Sequence, residues 1–241
     1  MPFYQDLKDR FAKLIDEKAI SDETISVLSA RTLTVKEAIG EPERDDYPLM
    51  RGKEFMMEAD FQGAKGQAFT DMPGNFRGSL RDVLSLDLAD NFQRAIFIAT
   101  LNAVMRHEKR VEGTIHCRDQ EPGLCAKQLT AYIQERYENP KIALIGYQPA
   151  MAASLVQSFP LRIVDLDEDN IGHRRAGVIV DAPSATQEVI AWCDVILATG
   201  STATNDTIGH FLNRKPVIFF GVTVAGVAAL CGLDRYCPFG H

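Results

Sequence analysis

The stretch GTIHCRDQEPGLCAKQL, residues 113–129, gathers one imidazole, two thiols and two carboxyls into a short segment: His116, Cys117, Asp119, Glu121 and Cys125. These are soft and borderline donors, the types that hold a divalent transition metal ion. Pro122 fits the first turn of a helix continuing to about Tyr137. That places Cys125 in its N-terminal turn, where unpaired amides and the helix dipole favour a thiolate. If residues 115–118 are extended, His116 and Cys117 point to opposite faces, and Cys117 shares a face with Asp119 instead. The spacing from Cys117 to Cys125 is not that of the two close pairs in a compact zinc site. A buried Cys117 beside a capping Asp119 or Glu121 explains the same residues.

A second stretch, TGSTATNDT at residues 199–207, crowds hydroxyls where an apolar run hands over to a predicted helix at 204–214. Thr199, Gly200, Ser201, Thr202 and Asn205 can cap that helix or cradle an anionic or polar ligand, and turn chemistry alone accounts for them as well. At an earlier handover, Gly146 is followed by Pro149, suited to a first helical turn. One glycine stands there where the dinucleotide fingerprint has three, which argues against NAD. Asp165 closes the next run, where an acid contacts a ribose hydroxyl in related folds. The polar loop 69–78 offers Arg77 as a counter-charge to an anion. Near the end of the sequence, Cys231 reads as core, whereas Cys237 and His241 are freer to reach a site. Cys193 reads as structural. His107, His173 and His210 have no companions for catalysis, and neither a GxSxG elbow nor a Walker lysine loop is present.

The elements that must position these residues fall into two groups. Residues 3–20 set Phe3, Leu7, Phe11, Leu14, Ile15 and Ala19 on one helical stripe, with a turn at Ser21 and Asp22. Runs at 24–36 and 54–61 read as antiparallel strands joined by the polar linker 40–53. With the glycine-rich stretch 63–78 they form a small α+β unit, residues 1–87. An apolar helix at about 88–107 opens the second unit, residues 88–241. There, short apolar runs at 141–145, 161–165, 178–180, 194–198 and 216–220 alternate with helices at 149–158, 184–192, 204–214 and 223–231. Strands buried on both faces and separated by helices predict an α/β, doubly wound, mostly parallel Rossmann-like sheet.

Composition excludes several classes. A net charge of −7 without a run of Lys and Arg argues against nucleic acid. The most apolar stretch, 95–105, is far shorter than the roughly 20 residues that span a bilayer, so no membrane partner is expected. Five cysteines without an export signal predict free thiols in a reducing compartment, the cytoplasm. A homodimer is the default assembly.

Taken in order, TIHCRDQEPGLCA, ALIGYQPAM, ILATGSTATNDT and IFFGVT resemble a Rossmann-like heavy-metal chelatase family, long catalogued as a domain of unknown function. The resemblance covers nearly the whole chain, most specifically 113–241. It implies an enolase N-terminal-like first domain, a ligand site between the domains, and a role with metals or tetrapyrrole-type cofactors. It points to His116, Cys117, Asp119, Glu121 and Cys125, and to Gly146, Thr199, Gly200, Ser201, Thr202 and Asn205. Asp206 stands where the family commonly has glycine, and Val222 where proline is frequent.

Two functions follow. In the first, His116, Cys117 and Cys125 hold a divalent transition metal for delivery to an organic ligand. Asp119 or Glu121 then takes protons from that acceptor, and the 199–205 loop holds its carboxylates. In the second, a metal-independent enzyme acts on a phosphorylated or nucleotide-like substrate through Gly146, Asp165 and the same loop, with Cys125 as nucleophile. Binding without turnover remains open.

Overall fold

The computed structural model describes residues 2–18, 20 and 28–241. Ala19, the turn at Ser21 and Asp22, and residues 24–27 of the first strand run fall outside them. Helix α1 (Pro2–Glu17) buries Leu7, Phe11, Leu14 and Ile15, the stripe its spacing predicts. Strand β1 (Leu28–Thr32) stops short of the predicted 36 because Thr34 starts helix α2 (Val35–Ile39). Thr34 and Glu37 form a capping box there, the side chain of each meeting the other's backbone N–H.

Strands β2 (Phe55–Phe61), β3 (Ala64–Thr70) and β4 (Phe76–Gly78) complete an antiparallel sheet of order β3-β2-β1-β4. Residues 69–78, expected as a loop, thus contain the end of β3 and all of β4. Helix α3 (Leu80–Ser85), absent from the sequence reading, is set by the Ser79–Asp82 capping box. Helix α4 (Asn91–His107) is buried from Arg94 to Met105. A helix enclosed on every side needs apolar residues all round, which 95–105 supplies. It lies on β3 closely enough that a Cβ on Gly66 would come within 2.2 Å of the Ala103 nitrogen and 2.4 Å of the Ala99 oxygen.

Helix α5 (Glu121–Arg136) leads into β5 (Ile142–Ile145), α6 (Pro149–Leu155), β6 (Leu161–Val164), β7 (Arg174–Arg175) and β8 (Val178–Asp181). Helix α7 (Thr186–Trp192), β9 (Val195–Thr199), β10 (Val217–Phe220), α8 (Ala225–Cys231) and β11 (Arg235–Tyr236) follow. The sheet order is β11-β10-β9-β5-β6-β8-β7, with only β7 antiparallel. Without β7, chain order across the sheet is 3-2-1-4-5-6, the Rossmann order, with its switch point between β5 and β9.

Alternation along β5 shows why both faces need cover. Ala143 and Ile145 enter a core shared with α1, α4 and the four-stranded sheet, while Ile142 and Leu144 enter the core under α5 and α6. Helix α4 is therefore wedged between the sheets, and its Asn102 amide bridges them. Asn102 Nδ2 donates to the carbonyls of Gln67, Val222 and Thr223, and its oxygen accepts from the Gly226 N–H.

One expected helix is missing. Residues 204–214 contain no α-helix; 3-10 turns at Gly200–Ala203 and Ile208–His210 take its place. Left-handed backbone at Asp206 (φ 61°) and Asn213 (φ 57°) interrupts it. The hydroxyls also bond locally, Thr202 Oγ1 to the Thr199 carbonyl and Thr204 Oγ1 to that of Ser201, which competes with a helical ladder.

Candidate functional site

A cavity of about 320 Å³ opens at the carboxyl ends of β5, β6, β9 and β10, against the loops of the four-stranded sheet. Its volume suits a small organic molecule. Gly146, the first residue after β5, has φ 87°, and a Cβ there would lie 2.6 Å from Thr199 Cγ2 on the neighbouring strand. Only glycine lets the chain turn off β5 while β9 runs alongside. At the end of β9, the Thr199 side chain accepts from the Ser201 N–H and caps the 3-10 turn. Gly200, Ser201, Thr204 and Asn205 line the cavity with Thr199.

The rim of β9 is tied to the other sheet through Phe69. The Phe69 N–H donates to Thr223 Oγ1 at 3.0 Å, and its carbonyl accepts from Thr204 Oγ1 at 2.8 Å. Arg94, buried within α4, donates to the Thr204 carbonyl from behind. Much of the hydroxyl crowding in 199–207 therefore holds loops in place. With no helix at 204, the cradle expected from a helix N-terminus does not form.

The 113–125 segment crosses the same cavity. Ile115 pairs backbone to backbone with His241, 2.9 Å in both directions, and the His116 N–H donates to Gln67 Oε1 at 2.7 Å. So held, the segment is not a strand, and His116 and Cys117 both line the cavity. The opposite-face expectation is corrected by the separation of His116 Nδ1 from Cys117 Sγ, 3.9 Å. His116 Nδ1 lies 2.5 Å from the Cys117 carbonyl, which can only accept, so Nδ1 carries the proton and Nε2 keeps its lone pair. Burial lowers the His116 pKa to about 4, and the ring is neutral at physiological pH.

Cys125 is the fifth residue of α5, past the first turn, and is 6% exposed. Burial pushes its thiol up to about 12 and raises that of Cys117 further. Desolvation thus outweighs the helix terminus, and the expected thiolate gives way to a neutral thiol. Cys237 completes a group of three thiols lining the cavity.

Carboxyls from both sheets reach the cavity. Asp165 accepts N–H groups from Tyr147 and Asp167, locking the loop after β5 to the loop after β6. Burial still raises its pKa. Asp71, after β3, accepts from Asn91 Nδ2 at 2.7 Å. Glu54, just before β2, is packed deep among neighbours while still facing the cavity. Desolvation first, and then the charges of Asp165, Asp71 and Asp167, raise it to about 7 against the pull of a Ser201 hydrogen bond. Lys53 closes the mouth, 2.6 Å from Asp169 and 3.6 Å from Asp167.

Of the residues singled out by sequence, His116, Cys117 and Cys125 meet Gly146 and Asp165 here, together with Thr199, Gly200, Ser201 and Asn205. Thr202, Asp119, Glu121 and Arg77 do not line the cavity. Thr202 is buried, bonded to the Thr199 carbonyl. Asp119 Oδ1 accepts from the Glu41 N–H, and Glu121 Oε2 accepts from the Arg118 N–H and meets His241 Nε2 at 2.9 Å. Arg77 belongs to β4, beside Ser29 of β1. Sequence reasoning missed Glu54, Asp71 and the aromatic lining of Tyr47, Phe69, Tyr147 and Phe220. Acids placed immediately before β2 and after β3 are the signal that could have found the first two.

Among the described residues, no three His, Cys, Asp or Glu side chains converge as a metal cage. The donors lining the cavity therefore do not fit a closed structural metal site.

Fold and cavity define a Rossmann-like α/β protein with a cavity at the switch point of its sheet. Residues 129–233 match the model of DUF364, described as "Putative heavy-metal chelation", the family that the motifs resemble. Two solved structures of unknown function from DUF364 share the fold. One, from Pyrococcus horikoshii, is 16% identical with TM-score 0.55, covering 90% of this chain and 79% of its own. The other, from Desulfitobacterium hafniense DCB-2, is 14% identical with TM-score 0.51, covering 95% and 83%. No curated protein matches the chain. Among the described residues, no helix is long and apolar enough to cross a membrane.

Proposed function

We propose that this chain is a metal-handling protein, and that a divalent transition metal enters the switch-point cavity as cargo beside a small organic ligand. The observation that carries this reading is that His116, Cys117 and Cys125 line the same cavity as Gly146 and the 199–205 loop. The Nε2 lone pair of His116 is free to coordinate, its tautomer set by the Nδ1 contact with a backbone carbonyl. The thiols must lose protons to bind, so metal uptake competes with protonation and stays reversible. A carrier needs that reversibility, because cargo held by a full set of thiolates is slow to leave.

The proton-accepting role expected of Asp119 and Glu121 passes to Glu54. It lines the cavity, and with a pKa of about 7 it can take or give a proton at neutral pH. The two units read from sequence, 1–87 and 88–241, then supply opposite walls, with Glu54 and Asp71 on one side and the sheet rim on the other. The metal-independent reading, a phosphorylated or nucleotide-like ligand, is less favoured because carboxyls rather than free cations line the cavity.

Metal content of protein purified without an affinity tag tests the proposal, for the natural chain, Cys117→Ser and Cys125→Ser. Stoichiometric Zn²⁺, Ni²⁺ or Co²⁺ uptake that falls at least tenfold in each variant is expected. Uptake unchanged in both variants, or tight nucleotide binding without metal, would overturn it.

A further inference from the structure

We propose that the cavity selects a positively charged organic ligand, with its cationic group seated among Glu54, Asp71 and Asp165 and its apolar body against the aromatic wall. This names the ligand class for the site proposed above and rests on that cavity being the binding site. It replaces the anionic ligand expected from the hydroxyl-rich loop.

The charges that face the cavity carry the inference. Glu54 precedes β2, Asp71 follows β3, and Asp165 and Asp167 follow β6, so carboxyls from separate loops of both sheets line one cavity. Like charges lining one cavity repel unless a counter-charge joins them. Among the described residues lining the cavity, Lys53 is the one Lys or Arg, and it is already committed to Asp169 and Asp167. Asp165 has N–H donors from Tyr147 and Asp167, and Asp71 has the Asn91 amide. Glu54 lines the same cavity as Ser201 and has no cationic partner among the described residues.

The orientation of the Asn91 amide is itself fixed. Arg94 is a donor only and bonds Asn91 Oδ1, so the Asn91 NH₂ must face Asp71. The carboxylate of Asp71 is thereby aimed by a chain of bonds that runs through Asn91 to Arg94 in α4.

The remaining walls are largely rings and aliphatic groups, with Tyr47, Phe69, Tyr147 and Phe220 drawn from four different segments. Aromatic faces attract cations as well as apolar bodies. A protonated amine attached to an aromatic or aliphatic body satisfies both parts of this lining. A carboxylate or phosphate meets repulsion from the acids and finds no unpaired cation.

Matched probes test this with metal removed by chelator: tryptamine and indole-3-propionate, which share a ring system and differ in the sign of charge. Isothermal titration near neutral pH is run on the natural chain, Glu54→Gln and Asp71→Asn, with melting curves confirming that each folds. Tryptamine is expected to bind the natural chain at least tenfold more tightly than indole-3-propionate, and each substitution to weaken tryptamine at least tenfold while leaving indole-3-propionate unchanged or improved. Equal binding of both probes, a preference for the carboxylate, no binding of either, or tryptamine binding indifferent to both substitutions would overturn the inference. Failure here with Cys117-dependent metal uptake intact leaves the metal reading standing. Tryptamine selectivity without metal uptake removes the metal reading alone.

Discussion

Replacing Glu54 by Gln isolates the electrostatic load that the cavity places on the fold. The carboxyl has an ordinary pKa near 4.5 and sits at about 7 in the folded chain, chiefly through desolvation and then through Asp165, Asp71 and Asp167. Below about pH 4.5 it is neutral in folded and unfolded states alike, and its burial then carries no charge penalty. As pH rises towards 7, the unfolded chain gives up this proton while the folded chain keeps it, so stability falls progressively and levels off above about pH 7. At about 1.4 kcal/mol per pH unit the full loss is about 3 kcal/mol, and the face open to cavity water screens it to about 1–2 kcal/mol. Glutamine keeps the shape and removes the charge. Melting curves of metal-free protein at about pH 4 and about pH 8 are therefore expected to coincide at the lower pH and to separate at the higher. There, the variant should melt about 3–6 °C above the natural chain, since about 1 kcal/mol moves the midpoint of a chain this size by roughly 2–4 °C. A shift of the same size at both pH values, or a variant less stable at high pH, would refute the reasoning.

Other outcomes follow from particular contacts. His116 is expected to show the Nδ1-protonated tautomer in long-range nitrogen–proton NMR spectra and to titrate near pH 4; titration near 6.5 would contradict its burial. Gly66→Ala places a methyl group against the backbone of α4, where a flexible side chain cannot swing away, and should cost about 3 kcal/mol or more in denaturant unfolding. Gly146→Ala combines φ 87° with a clash at Thr199 and is expected to cost about 1–3 kcal/mol, read the same way. In the native protein, Ellman's reagent should reach Cys237 and Cys231 before the buried Cys117, Cys125 and Cys193; rapid labelling of Cys117 or Cys125 would contradict their protonated, enclosed state.

The parallel sheet was legible because β5, β6, β8, β9 and β10 are short apolar runs that need cover on both faces, and their order in the chain already implies a switch point. Strands β7 and β11 were not, since two residues each carry no periodicity. The hydroxyl-rich loop misled for a physical reason. Thr and Ser that cap a helix also bond to nearby carbonyls, and only the three-dimensional path, with left-handed Asp206, decides between the two. His116 and Cys117 could be named from their types, but their shared face depends on a backbone held by Gln67 and His241, partners distant in sequence. Glu54 and Asp71 stayed hidden because their meaning lies in what the sheet rim brings opposite them. The Cys125 thiolate failed because position on a helix was weighed without burial, and burial wins at this site.

The most direct test of the account is the absorption spectrum of the tag-free protein titrated with Co²⁺, because sulfur-to-cobalt charge-transfer bands report thiolate ligation itself. Such bands are expected in the natural chain at one equivalent of metal, and are expected to be lost in Cys117→Ser and in Cys125→Ser. Cobalt bound without sulfur bands, or bands that survive both substitutions, would contradict it.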